Sequence, residues 1–192
     1  MCSKIRVIFH TAPVIWKNSK LPFVSGYINR GRIAMFRQIV RSKQKLEHEK
    51  CIEILKNEPR GVLSVVTPEG YPYAMPMNHW YCEETGKLYF HTGLNGHRTD
   101  CLKECNKASF CVYDKGFKKE GEWALNISSV IVFGKINTVS DDEMRKKLIR
   151  ELSHKFTQDD DYIESEINRL LDITLCLELD IEHMTGKLVN EA

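Results

Sequence analysis

Strand-like runs of apolar and β-branched residues dominate the middle of this chain. Helical spacing of apolar residues is confined to short stretches around them. Gly61-Val62-Leu63-Ser64-Val65-Val66 predicts a strand, closed by the turn Thr67-Pro68-Glu69-Gly70 with proline and glycine where a tight reversal wants them. A second strand is predicted over residues 71–81. Pro72 and Pro76 inside it remove ladder donors, which leaves this backbone free to face a ligand or a barrel opening. Glu83-Glu84-Thr85-Gly86 turns the chain into a strand over 87–92, and further strands are predicted over 108–113, 123–138 and 173–179. Helices are predicted over 43–57, with Ile52 and Leu55 on one face and Asn57-Glu58-Pro59 as its stop, and over about 96–105. Ser140-Asp141-Asp142-Glu143 reads as a capping box, and the helix behind it carries Met144, Leu148, Leu152 and Phe156 at i+4 spacing as a core-facing stripe. A short helix follows the acidic loop 158–161.

About six strands joined by tight turns, with only short helices between them, describe a mainly β (α+β) fold built on a small antiparallel barrel. The βαβ rhythm of a doubly wound sheet is absent, as are Gly-x-Gly-x-x-Gly and Walker-type loops. A phosphate site would therefore come from barrel rim elements. The candidate is Leu88-Tyr89-Phe90-His91-Thr92-Gly93-Leu94-Asn95-Gly96-His97-Arg98-Thr99-Asp100, a strand ending in a Gly-bounded turn where a His-Arg pair opens a helix. Exposed N–H groups and the positive end of the helix dipole attract an anion there, and Arg98 can clamp it with two parallel hydrogen bonds.

With 192 residues the chain suits one domain with a sizeable core, and it contains no run of about 18 apolar residues that would span a membrane. The net charge of +2 hides an asymmetry. Residues 1–34 carry six Lys/Arg and no Asp or Glu, whereas the remainder holds 22 basic and 26 acidic residues. The mildly acidic body gives little support for a nucleic-acid surface. Three readings fit the basic leader 1–34: an organellar targeting segment, a disordered arm, or a start placed too early, with Met35 as the first residue. The last fits best, since Pro13, Pro22 and Gly26 break up any helical or strand period. The folded domain is then 35–192. Seven cysteines form no Cys-x-x-Cys pair, which argues for free thiols in a reducing, cytoplasmic compartment. Cys101 and Cys105, a helical turn apart, could share a metal with His97. Small buried hydrophobes on a helix face are the better reading, so no metal site is expected.

The span from about 61 to 140 resembles the pyridoxamine 5′-phosphate oxidase-like superfamily of FMN-binding split barrels. The resemblance rests on Gly70-Tyr71-Pro72-Tyr73 running to Asn78-His79-Trp80-Tyr81, on the stretch Leu88 to Asp100, and on Trp123-x6-Val130-x-Val132-x-Gly134-Lys135. Met35-Phe36-Arg37 and Glu182-His183-Met184-Thr185-Gly186-Lys187 are similar to the nitroimidazole-resistance (Nim-like) branch. The resemblance implies a six-stranded antiparallel split β-barrel with short flanking helices, FMN as cofactor, and a homodimer whose flavin sites are shared between subunits.

The residues that match the family's FMN contacts are His91 and Thr92 on the strand, and Gly96, His97 and Arg98 at the turn. Thr92 and Arg98 keep the oxidase chemistry, and His97 replaces a fixed cation by a titratable ring. Ala74, His79 and Ser129 stand where the oxidases have Arg, Lys and Gln. Ser64 and Val65 would line the site through their backbone. Asn78 and His79 would lie near the isoalloxazine ring, with His79 as the catalytic candidate. The oxidase C-terminal Arg-x-His-Arg element is missing. The activity implied is a flavin-dependent reduction of small electrophiles such as nitroaromatics, with NAD(P)H as a donor. The alternatives are a pyridoxamine 5′-phosphate oxidase-type oxidase and a non-catalytic flavin- or haem-binding protein.

Overall fold

Alternation in β1 (Arg60–Val66) turns Leu63 and Val65 inward and leaves Val62 and Ser64 on the opposite face. The same rule governs β2 (Pro72–Asn78), β4 (Lys87–Gly93), β5 (Lys107–Tyr113) and β7 (Leu125–Thr138). Together with the short β3 (Trp80–Cys82) and β6 (Phe117–Lys118) and the long β8 (Thr174–Asn190), they form one antiparallel sheet in the order β2-β1-β5-β7-β8-β4-β3, with β6 on β7. The computed structural model describes residues 35–190, so the expectations for the leader 1–34 lie outside the described residues.

One feature of this order sets the shape of the sheet. β2 and β3 stand at its opposite ends, yet only His79 separates them in the chain. The sheet must curl until its two ends meet at that residue, which makes a split barrel. The predicted strand 71–81 is therefore two strands, one paired with β1 (Val62 opposite Pro76) and one with β4 (Trp80 opposite Tyr89). Among the described residues β2 pairs with β1 alone, so its two prolines are tolerated. Curling is helped by a bulge where Phe133 pairs with His183 but Gly134 pairs with Ile181, leaving Glu182 as the extra residue. Gly134 sits directly against the Asp180 carbonyl, where no side chain would fit.

Inside the barrel, Leu63, Phe90, Phe110, Val112, Val130 and Leu179 form the main core. Helix α1 (His48–Asn57) closes part of it with Cys51, Ile54 and Leu55. The helix begins five residues later than the periodicity suggested, after a 3-10 turn at Ser42–Gln44, and Ile52 lies at the margin of its buried face. Helix α2 (His97–Glu104) follows β4. On the other side of β4, Tyr89, Cys82, Cys176 and Leu148 make a second, smaller core under α3 (Asp142–Ser153), which pairs with α4 (Asp160–Leu170).

The cap of α3 is Asp141, whose carboxylate accepts from the Met144 N–H at 2.7 Å, and not Ser140 of the expected box. Leu148 and Leu152 are buried as expected, but Phe156 lies beyond the helix and is exposed. The last strand runs eleven residues past its predicted end. Its charged positions are matched across the sheet: Lys87 reaches Glu178 (2.8 Å) and Asp180 (2.9 Å), and Lys135 reaches Glu182 (3.2 Å). Among the described residues no helix is long and apolar enough to cross a membrane.

Candidate functional site

β3 is only three residues long and pairs with Lys87, Leu88 and Tyr89. Among the described residues, β4 from Phe90 to Gly93 therefore pairs with β8 alone, just as β2 pairs with β1 alone. These two half-paired edges are the split in the barrel, and Arg98 bridges it. Its Nη1 donates to Thr92 Oγ1 of β4 at 2.6 Å and its Nε to Met75 Sδ of β2 at 2.9 Å. A thioether is a weak acceptor, and a guanidinium carries five N–H donors. Burial lowers the Arg98 pKa and Tyr73 opposes this; among the described residues no carboxylate offsets the charge. The seam thus holds a half-buried cation with donors to spare.

The turn before it is built to present more donors. Gly96 has φ 139°, a conformation that favours glycine, and as N-cap it offers no side chain to the first turn of α2. Thr99 Oγ1 donates to the Gly96 carbonyl at 2.6 Å and holds the turn in place. His97 is exposed and its ring packs on Tyr73 with centroids 4.8 Å apart. Its Nε2 lies 3.9 Å from Cys101 Sγ, and Cys101 itself is fully buried. Thr92, Gly96, His97 and Arg98 are thus brought together, with Tyr73 and Met75 beside them. Met75 was not singled out in the sequence, because its approach to Arg98 depends on how the two sheet ends meet.

The other candidates lie elsewhere. Ser64 and Ser129 are on the outer face of the sheet, opposite Ser109 and Tyr113 respectively. Ser64 and the backbone of buried Val65 line a shallow cleft of about 230 Å³ with Lys107 and Phe133. His91 is exposed on β4, on the strand face opposite Thr92. Asn78 is engaged with β1, its Oδ1 accepting from Arg60 Nε at 2.8 Å.

His79 departs most from expectation. It is 0% exposed, packed edge-on against Phe110, and its Nε2 bonds the Leu55 carbonyl at 2.8 Å. The cause is local to α1. In a continuing helix the Leu55 carbonyl would accept from residue 59, but Pro59 has no N–H. His79 and Lys155 Nζ (3.3 Å) take over that orphaned oxygen, and Lys155 also reaches the Glu58 carbonyl at 2.9 Å. Burial, reinforced by the nearby Lys155 charge, pushes His79 down to about 3. A sealed, neutral ring at the barrel corner cannot touch a cofactor at the seam, so the catalytic role expected of His79 does not fit its position. Alternation did carry this signal, since Met75, Met77 and His79 share the inward face of one extended segment.

The family model for pyridoxamine 5′-phosphate oxidase matches residues 47–188. The chain belongs to this family. As a member of the pyridoxamine 5′-phosphate oxidase family it shares its fold with several solved structures. One is a candidate 5-nitroimidazole antibiotic resistance protein of Bacteroides thetaiotaomicron (19% identity, 76% of this chain and 87% of that one, TM-score 0.63). Another is the FAD and heme binding protein of Mycobacterium smegmatis (21%, 78% and 74%, 0.61). A third is an FAD-binding protein of Mesorhizobium loti (18%, 76% and 97%, 0.59). No curated protein matches the chain in sequence.

Among the described residues no three His, Cys, Asp or Glu side chains are grouped to hold a metal ion.

Proposed function

We propose that the chain is an FMN-binding flavoprotein of the Nim-like branch that reduces small electrophiles such as nitroaromatics, with NAD(P)H as the donor, in the reducing cytoplasm. The observation that carries this is Arg98, a half-buried guanidinium that among the described residues has no carboxylate partner and has a thioether as one of its two acceptors. A phosphate monoester would complete it. The uncapped N–H groups of α2 and the Thr92 hydroxyl would hold the same phosphate, with His97 as a second, titratable contact. When bound, the flavin supplies the redox chemistry, and the chain supplies binding, orientation and electrostatics. His79 has no direct part in the reaction on this reading.

The working unit we propose is a homodimer. β7 carries apolar residues on both faces: its inner face holds Val130, Val132 and Ile136, and from Leu125 to Phe133 its outer face holds Leu125, Ile127, Ile131 and Phe133, broken only by Ser129. An antiparallel strand with one face toward water would alternate. Trp123, Tyr113, Phe133, Ile131 and Val66 together leave roughly 450 Å² uncovered, on a scale of ~150–250 Å² per aromatic side chain. That is over half of the ~800 Å² each partner gives to a standard interface. A second copy is the simplest cover.

The first experiment is a visible spectrum of the purified protein. Flavin bands released as FMN support the reading. FAD alone would replace the cofactor, and a Soret band without flavin would overturn the assignment. Arg98→Ala should cost about 1.5–3 kcal/mol of FMN binding, a loss of at least tenfold in affinity by equilibrium dialysis. Affinity equal to that of the unaltered protein would refute the clamp.

A further inference from the structure

A second concave site lies on the far side of α2. Between that helix and the ends of β7 and β8 opens a cleft of about 310 Å³. Leu102, Ile136, Leu175 and Leu177 form its apolar wall, and Thr138 and Lys103 stand at its rim. Neither Met75 nor Arg98 lines it, and it meets the turn beside the seam only at Leu94 and Thr99. Its volume falls at the lower end of the ~300–1,000 Å³ of small-molecule sites, and its lining has their character, an apolar wall with a few polar groups at one side.

The rim groups are available to a ligand. The Thr138 side chain has no hydrogen-bond partner among the described residues. Among the described residues Lys103 pairs with Asp100 alone, one turn earlier on its own helix, at 3.0 Å, with both side chains well exposed. An exposed pair of this kind is worth less than about 1 kcal/mol and gives way readily to a better acceptor. The cleft therefore presents an aliphatic wall with the flexible side chain of Lys103 and the hydroxyl-bearing Thr138 among its rim residues. A planar ring that lays one face on that wall and directs one carboxylate to the rim would meet all three.

We propose that this cleft binds a small aromatic carboxylate. The proposal does not depend on the flavin assignment: the cleft borders the β4–α2 turn through Leu94 and Thr99, but Thr92, Gly96, His97 and Arg98 do not line it.

Benzoate is the probe, titrated calorimetrically into the full chain with and without saturating FMN. Saturable binding is expected, equal in the two states. Lys103→Glu should weaken it about fivefold by reversing the charge at the rim. Leu102→Trp should abolish it by filling the cleft. Since the tryptophan could disturb α2, the exposed Lys103→Glu substitution carries the decision, with unchanged thermal unfolding as its control. Absence of saturable binding, or binding that Lys103→Glu leaves unaltered, overturns the proposal. Competition by FMN, or loss in Arg98→Ala rather than in Lys103→Glu, places benzoate at the seam and also overturns it.

Discussion

Because His79 stays unprotonated in the fold, the protein should lose stability from about pH 6.5 downward, well above the pH at which most carboxylates titrate. The ring is sealed in the barrel corner, donates from Nε2 to the Leu55 carbonyl, and has no partner at Nδ1. Burial first, and then the Lys155 charge, hold its pKa at about 3, against 6.5 for a free histidine. Between those two values the unfolded chain binds the extra proton and the folded chain does not, so stability rises with pH across the window and falls as pH drops through it. Each pH unit is worth about 1.4 kcal/mol. Going from pH 7.5 to pH 5 should therefore cost about 2 kcal/mol, and going on to pH 4 about 3 kcal/mol, from this residue alone.

The assay is urea unfolding followed by tryptophan fluorescence, on the unaltered protein and on His79→Gln. Glutamine can donate to the same carbonyl but does not titrate. The variant has its own offset in stability, but the difference between the two pH profiles isolates the histidine. The unaltered protein should lose about 2 kcal/mol more than the variant between pH 7.5 and 5. Parallel profiles would refute the reasoning and would mean that His79 is protonated or hydrated in the folded state.

Lys155 should act at the alkaline end. Burial lowers it to about 8 from 10.5, so the unfolded chain again binds more protons between those values, and stability should climb by up to about 3 kcal/mol over that range relative to Lys155→Met. Matching alkaline profiles of the two proteins would contradict this. Asp141→Ala should cost about 1 kcal/mol by leaving the Met144 N–H uncapped, whereas Ser140→Ala should cost little; comparable losses at the two positions in thermal unfolding would restore the capping box that the structure displaces.

Much of the architecture is local and was legible. Period-2 alternation gave β1, β4, β5 and β7 to within two residues, because inward and outward positions on a strand follow from backbone geometry alone. The stretch from Leu88 to Asp100 was legible for the same reason: a strand, a turn that needs glycine at Gly96, and a helix that starts with His97 and Arg98 are all written in adjacent residues. β8 was cut short because Glu178, Asp180 and Glu182 look like the end of a strand until Lys87 and Lys135 are placed opposite them.

The sequence by itself determined the β-rich class, the family motifs and the glycine turn that opens the helix at His97 and Arg98. Only the tertiary structure decided which strand edges stay unpaired, and with them the position of the seam, the thioether beside Arg98 and the burial of His79. Pro59 announces an orphaned carbonyl at Leu55 to anyone reading the chain. Which donor satisfies it depends on residues 24 and 100 positions away. Periodicity fixes the direction in which a side chain points. It does not fix what lies there, because that is set by strand pairings made across the whole chain.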